Sequence, residues 1–297
     1  MADRRLKIFH TVARLLNFTK AAEELHMTQP AVTFQIRQLE EQFNTRLFDR
    51  THNKVSLTEV GKQVYVYADR ILKLYEDMTR SVNDMTGEVS GGVTLGASTT
   101  VAEYMLPLLI GEFKVKYPEV LISLKESNSE EIVSLVESND LDIGIVEGSV
   151  NNKNLIVEEC HTDEMVVIVP NGHALAGNEA LCVKDIVEHP FISRESGSGT
   201  QESIQRYVEK HGDHDFLNVS YELSSPEAIK GAVEAGMGIS ILSRSTISKE
   251  LKLNTLTAVE LTPKLQRPFS IVRQRYKFKS RAVDELLKFA QEYARNF

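Results

Sequence analysis

Apolar residues in the first sixty positions recur at helical spacing, with two interruptions. Leu6, Phe9, Val12, Ala13 and Leu16 share one side of a helix predicted over about 4–16. Asn17-Phe18 breaks it, and Thr19 reads as the N-cap of a second short helix, Lys20 to Leu25. His26-Met27 is a turn. Thr28 caps a third helix, with Pro30 in its first turn, where a missing N–H costs nothing. There Val32, Ile36, Leu39 and Phe43 fall at i, i+4, i+7 and i+11, a core face. The opposite face carries Pro30, Phe34, Arg37, Gln38 and Glu41, flanked by Gln29 and Thr33. From Thr45 to Leu57 the pattern becomes two short strands around a polar turn, a wing.

Beyond Thr58 the period changes again. To about Met85 there is no Pro, and Gly61 is the only Gly. Two sets recur every seven residues: Val60, Tyr67, Leu74, Ser81 and Val64, Ile71, Met78, Met85. This seam predicts a long helix pairing with a copy of itself through Val60, Val64, Tyr67, Ile71, Leu74 and Met78. Gly87 and Gly91-Gly92 mark a hinge.

From Gly92 strand-length apolar runs alternate with helical stretches. The strands fall at 93–97, 121–125, 142–146, 164–169, 191–193, 239–242 and 269–272, with helices near 103–117, 129–138, 200–211, 226–235 and 280–295. The alternation predicts parallel-rich α/β sheets covered by helices, with the last helix returning to the first lobe. The expected class is α+β multidomain. Residues 1–58 form a winged helix-turn-helix, 59–88 a linker helix, and 92–297 a two-lobed α/β body. Its first lobe spans about 92–161 and 267–297, its second about 162–266.

Composition adds charge asymmetry. The 297 residues carry a net charge of −8, which at first argues against nucleic acid. Residues 1–80, however, hold 13 Lys and Arg against 10 Asp and Glu, whereas the rest hold 21 against 32. A mildly basic front on an acidic body suits DNA contacts confined to one end. The opening residues lack the core of a signal peptide, and no apolar run approaches the roughly 20 residues that span a bilayer. A cytoplasmic protein without membrane contact is expected. Cys160 and Cys182 read as free thiols, not a disulfide framework, and no metal-ligand set stands out.

The start of a recognition helix is what reaches base edges. Gln29 can pair with adenine, and an exposed Phe34 can touch thymine methyls. Arg50, His52 and Lys54 on the wing are candidates for phosphate or minor-groove contacts. In the body, Gly96-Ala97-Ser98-Thr99-Thr100 follows the first strand, and Glu195-Ser196-Gly197-Ser198-Gly199-Thr200 leads into a helix. Both place hydroxyls beside backbone N–H groups near a helix start, where negative charge is favoured. If the lobes face each other, these loops converge on one cleft with Asn128 and the Val146-Glu147 strand end. A small carboxylate, sulfate or phosphate-bearing metabolite fits that chemistry. Ala235-Gly236-Met237-Gly238-Ile239 reads as fold geometry, and His161 with Asp163 as a surface turn.

The chain resembles the LysR-type transcriptional regulators over its whole length. The residues carrying this are Phe18-Thr19-Lys20-Ala21-Ala22 with Leu25, Thr28-Gln29-Pro30-Ala31, Gln38-Leu39-Glu40, Leu47-Phe48-Asp49-Arg50 and Leu57-Thr58-Glu59-Val60-Gly61. The resemblance implies a periplasmic-binding-protein-like effector domain, places Thr28, Gln29, Pro30 and Thr33 at the DNA and has Arg50 support the wing; Thr19, Lys20, Phe34 and Arg37 are further candidates for DNA contact. It also implies ligand contacts from Ser98, Thr99, Thr100 and Thr200, with Asn128, Glu147, Ser196 and Ser198 as further candidates. Where many relatives have arginine, this chain has Phe34, which favours apolar readout. The implied partners are promoter DNA, a small-molecule effector, a second copy through the linker helix, a tetramer of two dimers, and RNA polymerase. A transport receptor and an enzyme are the competing classes. The N-terminal reader disfavours the first; hydroxyls without a histidine partner disfavour the second.

Overall fold

A computed structural model describes residues 4–51, 54–85, 89–212, 216–275 and 280–294. The chain divides into two compact units, Met1–Gly87 and Glu88–Phe297.

The first unit comprises α1 (Arg4–Leu15), α2 (Phe18–Glu24), α3 (Gln29–Phe43), β1 (Phe48–Thr51), β2 (Lys54–Leu57) and α4 (Glu59–Met85). Phe9, Val12, Phe18, Ala21, Val32, Ile36, Leu39, Leu47 and Phe48 fill its core. Three expectations are corrected. Asn17, not Thr19, caps α2, its Oδ1 accepting from the backbone N–H groups of Thr19 and Lys20 at 2.9 and 3.0 Å. That makes Phe18 the first helical residue, turned inward onto Phe48. Leu16 leaves α1 in the left-handed region (φ 47) and is exposed. Phe43 is also exposed, because α3 ends there and Asn44 turns the chain away in the left-handed conformation.

Thr28 caps α3, accepting from Ala31 N–H, with Pro30 in the first turn. Strands β1 and β2 pair antiparallel, Phe48 opposite Leu57, and make the wing. Glu40 on α3 anchors it: Oε1 accepts from Leu47 N–H at 2.8 Å and from Phe48 N–H at 3.3 Å. Helix α4 runs 27 residues, roughly 40 Å. Val60, Tyr67, Ile71, Leu74 and Met78 lie exposed along it. Val64 departs from the expected seam: it is half-buried against the first unit's own core.

The second unit follows as β3 (Gly91–Ser98), α5 (Thr99–Tyr104), α6 (Leu106–Lys116), β4 (Val120–Ser127), α7 (Ser129–Glu137), β5 (Ile143–Glu147) and β6 (Leu155–Pro170). Then come β7 (Ala180–Leu181), α8 (Val183–Val187), β8 (Pro190–Arg194), α9 (Gly199–His211), β9 (Asn218–Leu223) and α10 (Pro226–Glu234). It ends with β10 (Ser240–Ser243), α11 (Ser248–Leu253), β11 (Leu256–Leu261), β12 (Leu265–Gln274) and α12 (Arg281–Ala294).

One sheet runs in the order β4-β3-β5-β12-β6-β11-β7, with β10 also on β6. It is mixed, not parallel-rich: β3 is parallel to β4 and β5, but β12 is antiparallel to β5 and β6, as β10 and β11 are to β6. The long strands β6 and β12 pass through both lobes, with a register shift at Phe269/Ser270. The first lobe packs Val93, Leu95, Leu109, Phe113 and Ile145 against Val283, Leu286 and Ala290 of α12. The second packs its apolar strands on both sides, against Ile204 and Val208 of α9 and against Ile229 and Val233 of α10.

Candidate functional site

The exposed side of α3 begins with Thr28, Gln29 and Pro30, and continues through Phe34 and Arg37. Phe34 is 57% exposed and does not fold back onto a neighbouring helix. Gln29 Nε2 donates to Thr33 Oγ1 at 3.0 Å, so the two polar groups sit one turn apart on a single edge. Thr19 and Lys20 are exposed at the start of α2. Arg50 and Lys54 lie in the paired wing strands, and His52 lies outside the described residues.

In the second unit the loop before α9 meets the first lobe. Glu130 N–H donates to Gly197 O at 3.2 Å, and Asn128 caps α7 through Glu131 N–H at 2.9 Å. Gly197 has φ 82, a conformation that side chains resist. A Cβ on Gly199 would lie 2.0 Å from Glu147 O. The close approach that Gly199 permits is therefore to the end of β5, whereas Gly197 lies against the Glu130 and Asn128 side chains at the start of α7, and Ser129 Oγ secures the Glu147 carbonyl at 2.9 Å.

A buried ionic group lies behind that contact. Thr200 Oγ1 donates to Glu147 Oε1 at 2.8 Å and accepts from Arg267 Nη1 at 2.7 Å. Arg267 Nε donates to Asp163 Oδ2 at 2.8 Å, and Ser243 Oγ donates to Asp163 Oδ1 at 2.6 Å. Burial alone would lower the Arg267 pKa, but Glu147 and Asp163 outweigh it and raise it above the ordinary arginine value. Thr200 thus has a carboxylate beside it already, from its own chain. Asp163 is buried in mid-strand, which corrects its reading as part of a surface turn.

Glu147, Ser198, Ser129, Gly197, Asn151 and Glu202 line a pocket of about 350 Å³. Ser98, Thr99 and Thr100 do not line it. They sit buried at the junction of β3 and α5, and Ser98 Oγ makes no hydrogen bond although Ser98 occupies the N-cap position. Ser196 is exposed on the loop. The eight expected contacts therefore divide into a pocket-side group and a group at α5.

Sequence reasoning missed the cations. Arg194 is 2% exposed at the end of β8; its Nε and Nη2 donate to Glu195 at 2.8 and 3.0 Å. Lys230, also buried, donates to Thr246 O at 3.0 Å and Glu250 at 2.8 Å, while Glu227 beside it accepts from Tyr104 across the lobes. Neither cation belongs to a local motif, so only the inward positions on β8 and α10 could have signalled them. Both cysteines are free and half-buried. No described helix is long and apolar enough to cross a membrane.

Comparison with known proteins matches both units. Residues 4–62 fit the bacterial regulatory helix-turn-helix protein, lysR family, and residues 86–295 fit the LysR substrate binding domain. The RuBisCO operon transcriptional regulator of Allochromatium vinosum is 33% identical, over 87% of this chain and 84% of its own. The HTH-type transcriptional regulator CysL of Bacillus subtilis (strain 168) is 35% identical, over 83% and 82%. The regulatory domain of Synechocystis PCC6803 CcmR, solved in complex with 2-PG, is 31% identical, covers 70% of this chain and 99% of that one, and superposes with a TM-score of 0.65. The chain belongs to the LysR family: it is a DNA-binding transcriptional regulator, not an enzyme, with a helix-turn-helix at its N-terminus and an effector-binding domain behind it.

Proposed function

We propose that this regulator reads its operator through Thr28, Gln29, Pro30, Thr33 and Phe34, with Arg37 and the wing positioning the helix on phosphate. The observation that carries this is the exposed edge of α3, where Gln29 and Phe34 stand clear of the core. A paired amide and an apolar ring suit adenine edges and thymine methyls in the major groove. Thr19 and Lys20, at the start of α2, supply backbone contacts. The protein acts in the cytoplasm, where its DNA lies.

Two copies pair through α4. Val60, Tyr67, Ile71, Leu74 and Met78 form an apolar stripe that the first unit's core does not use. Two edge strands of the second unit carry apolar side chains as well: Leu121 and Leu124 on β4, Val219 and Tyr221 on β9. Unpaired edges of this kind suit a further pairing of dimers into a tetramer.

The effector is a small anion held between the lobes, and its binding favours one arrangement of the reading heads. The 2-PG complex of the CcmR regulatory domain supports this reading and makes 2-PG the first compound to try. Footprinting on the promoter fragment upstream of the protein's own gene, with and without 2-PG and other small anionic acids, is the test. A footprint that changes length or hypersensitivity with one of them is expected. One that changes with none removes the switching mechanism, and absence of any footprint at moderate salt removes the operator reading.

A further inference from the structure

The face of α4 that packs on the reading head is held along two turns. Just before the helix, Thr58 N–H donates to Leu47 O at 3.0 Å, and a Cβ on Gly61 would lie 2.1 Å from that same carbonyl. Glycine is what lets the helix come so close. Further along, Ala68 is fully buried in the core of the head, and Val64 packs beside it. The far end of this face is polar. His10 of α1 lies flat on Tyr65, ring centres 5.0 Å apart and planes 12° from parallel, and its Nε2 stands 3.2 Å from Asp69 Oδ1. Lys73 holds the other Asp69 oxygen at 3.0 Å. From Gly61 to Asp69 the attachment is about 12 Å long.

The same helix carries the exposed stripe of Val60, Tyr67, Ile71, Leu74 and Met78. At about 100° per residue, that stripe centres about 120° around α4 from Gly61, Val64, Tyr65, Ala68 and Asp69. One helix therefore fixes the direction of pairing relative to α3. Any tilt at the contact between α1 and α4 passes straight to the recognition helix. A tilt of about 10° over roughly 20 Å, half of α4, moves a head by ~3.5 Å, close to the roughly 3.4 Å between successive bases. The apolar contacts at Val64 and Ala68 resist separation but have little directionality. His10 is different: a ring plane and an acceptor must both be matched, so it fixes an angle.

We propose that His10 is a positioning residue for DNA recognition. By locking α1 to Tyr65 and Asp69 it sets the angle of the reading head on α4, and with it the half-site spacing that a pair of heads accepts. It acts through α4 and not by touching bases. This rests on the reading of α4 as the pairing helix and adds the contact that tunes operator geometry.

Three variants take the contact apart. His10→Phe keeps the stacking and gives up Asp69, His10→Gln keeps a donor for Asp69 and gives up the stacking, and His10→Ala loses both. Sedimentation and thermal melting first establish that each full-length variant is folded and paired. Binding is then measured to the promoter fragment upstream of the protein's own gene, and to derivatives with one or two base pairs added or removed between the two arms of its footprint. Wild type should lose about tenfold for each base pair of change. In His10→Ala that penalty should shrink about threefold or more, with Phe and Gln between. Affinity for a fragment carrying a single arm should stay within about twofold, because α3 itself is intact. A second measurement needs no DNA: pulsed dipolar spectroscopy between spin labels at Gln42→Cys, in a chain carrying Cys160→Ser and Cys182→Ser. The distance between heads should be narrowly distributed with His10 and broader or shifted with Ala. An unchanged spacing profile or distance distribution in His10→Ala overturns the inference, as does an equal loss on the single-arm fragment. A wild type that sediments as a monomer overturns the pairing reading and this inference with it, whereas a dimer indifferent to His10 overturns the inference alone.

Discussion

Glu147 and Arg267 face each other 3.1 Å apart, each no more than 2% exposed, where the two lobes join. The geometry is an ion pair without good alignment, for neither Glu147 Oε2 nor Arg267 Nη2 completes a hydrogen bond. Thr200 mediates between them through better-aligned bonds. Removing Arg267 from this buried group leaves both Glu147 and Asp163 without their cation. Arg267→Met should therefore cost about 3–5 kcal/mol of stability in urea unfolding. Replacing Arg267, Glu147 and Asp163 together with apolar residues should recover much of it, and a loss below about 1 kcal/mol for the single variant contradicts the account.

Glu40 ties the wing to α3 through two backbone N–H groups. Glu40→Ala leaves both donors without their acceptor and should destabilise the first unit by about 1–3 kcal/mol. Hydrogen exchange at the Leu47 and Phe48 amides checks it. Unchanged protection there would mean the wing is held by other contacts.

For Gln29, the discriminating measurement compares operator with random DNA. Gln29→Ala should weaken operator binding by about 1–3 kcal/mol and random binding far less. Equal losses would reassign Gln29 to backbone positioning. Thr33→Ala frees the amide from its bond to Thr33 Oγ1 and should alter base preference more than overall affinity.

Along α4, Ile71→Lys places a charge in the exposed apolar stripe. The sedimentation mass should fall from dimer or tetramer towards monomer. Val64→Lys, by contrast, should lower the melting temperature as well, because Val64 packs on the first unit's own core.

His173 supplies a pH dependence. Burial first, and His189 next, lower its pKa below the ordinary imidazole value. The folded state then binds fewer protons than the unfolded one. The contribution of His173 to stability is fully present above about pH 6.5 and is lost as pH falls through the depressed folded value. His173→Asn keeps an acceptor for the Leu175 N–H that His173 Nδ1 now takes at 3.2 Å. It should flatten the fall in melting temperature between about pH 6.5 and 5.

Local pattern carried much of the fold. Val32, Ile36 and Leu39 announce the buried side of α3, and Thr28 with Pro30 announces its start, because caps and periodicity are properties of neighbouring residues. Thr19 is as good a cap by type as Asn17, and only the backbone shows which side-chain oxygen reaches the free amides. The first half of β6 and all of β9 carry no such pattern, since Glu158, Glu159 and His161, like Asn218 and Glu222, interrupt the apolar run that marks a strand. In the effector domain, Ser98 to Thr100 and the loop before α9 were visible as hydroxyl-rich turns. The buried charges were not: Arg267 meets Asp163, a partner 104 residues earlier, and no local rule brings them together.

Because β6 and β12 run as one paired ribbon from the first lobe into the second, the lobes are joined by something closer to a leaf spring than a door hinge. Prying them wide would shear the ladder, whereas torsion about the ribbon keeps its bonds intact and follows the natural twist of strands. Motion of one lobe against the other is therefore expected as twist, not opening, concentrated where the pairing shifts at Phe269/Ser270.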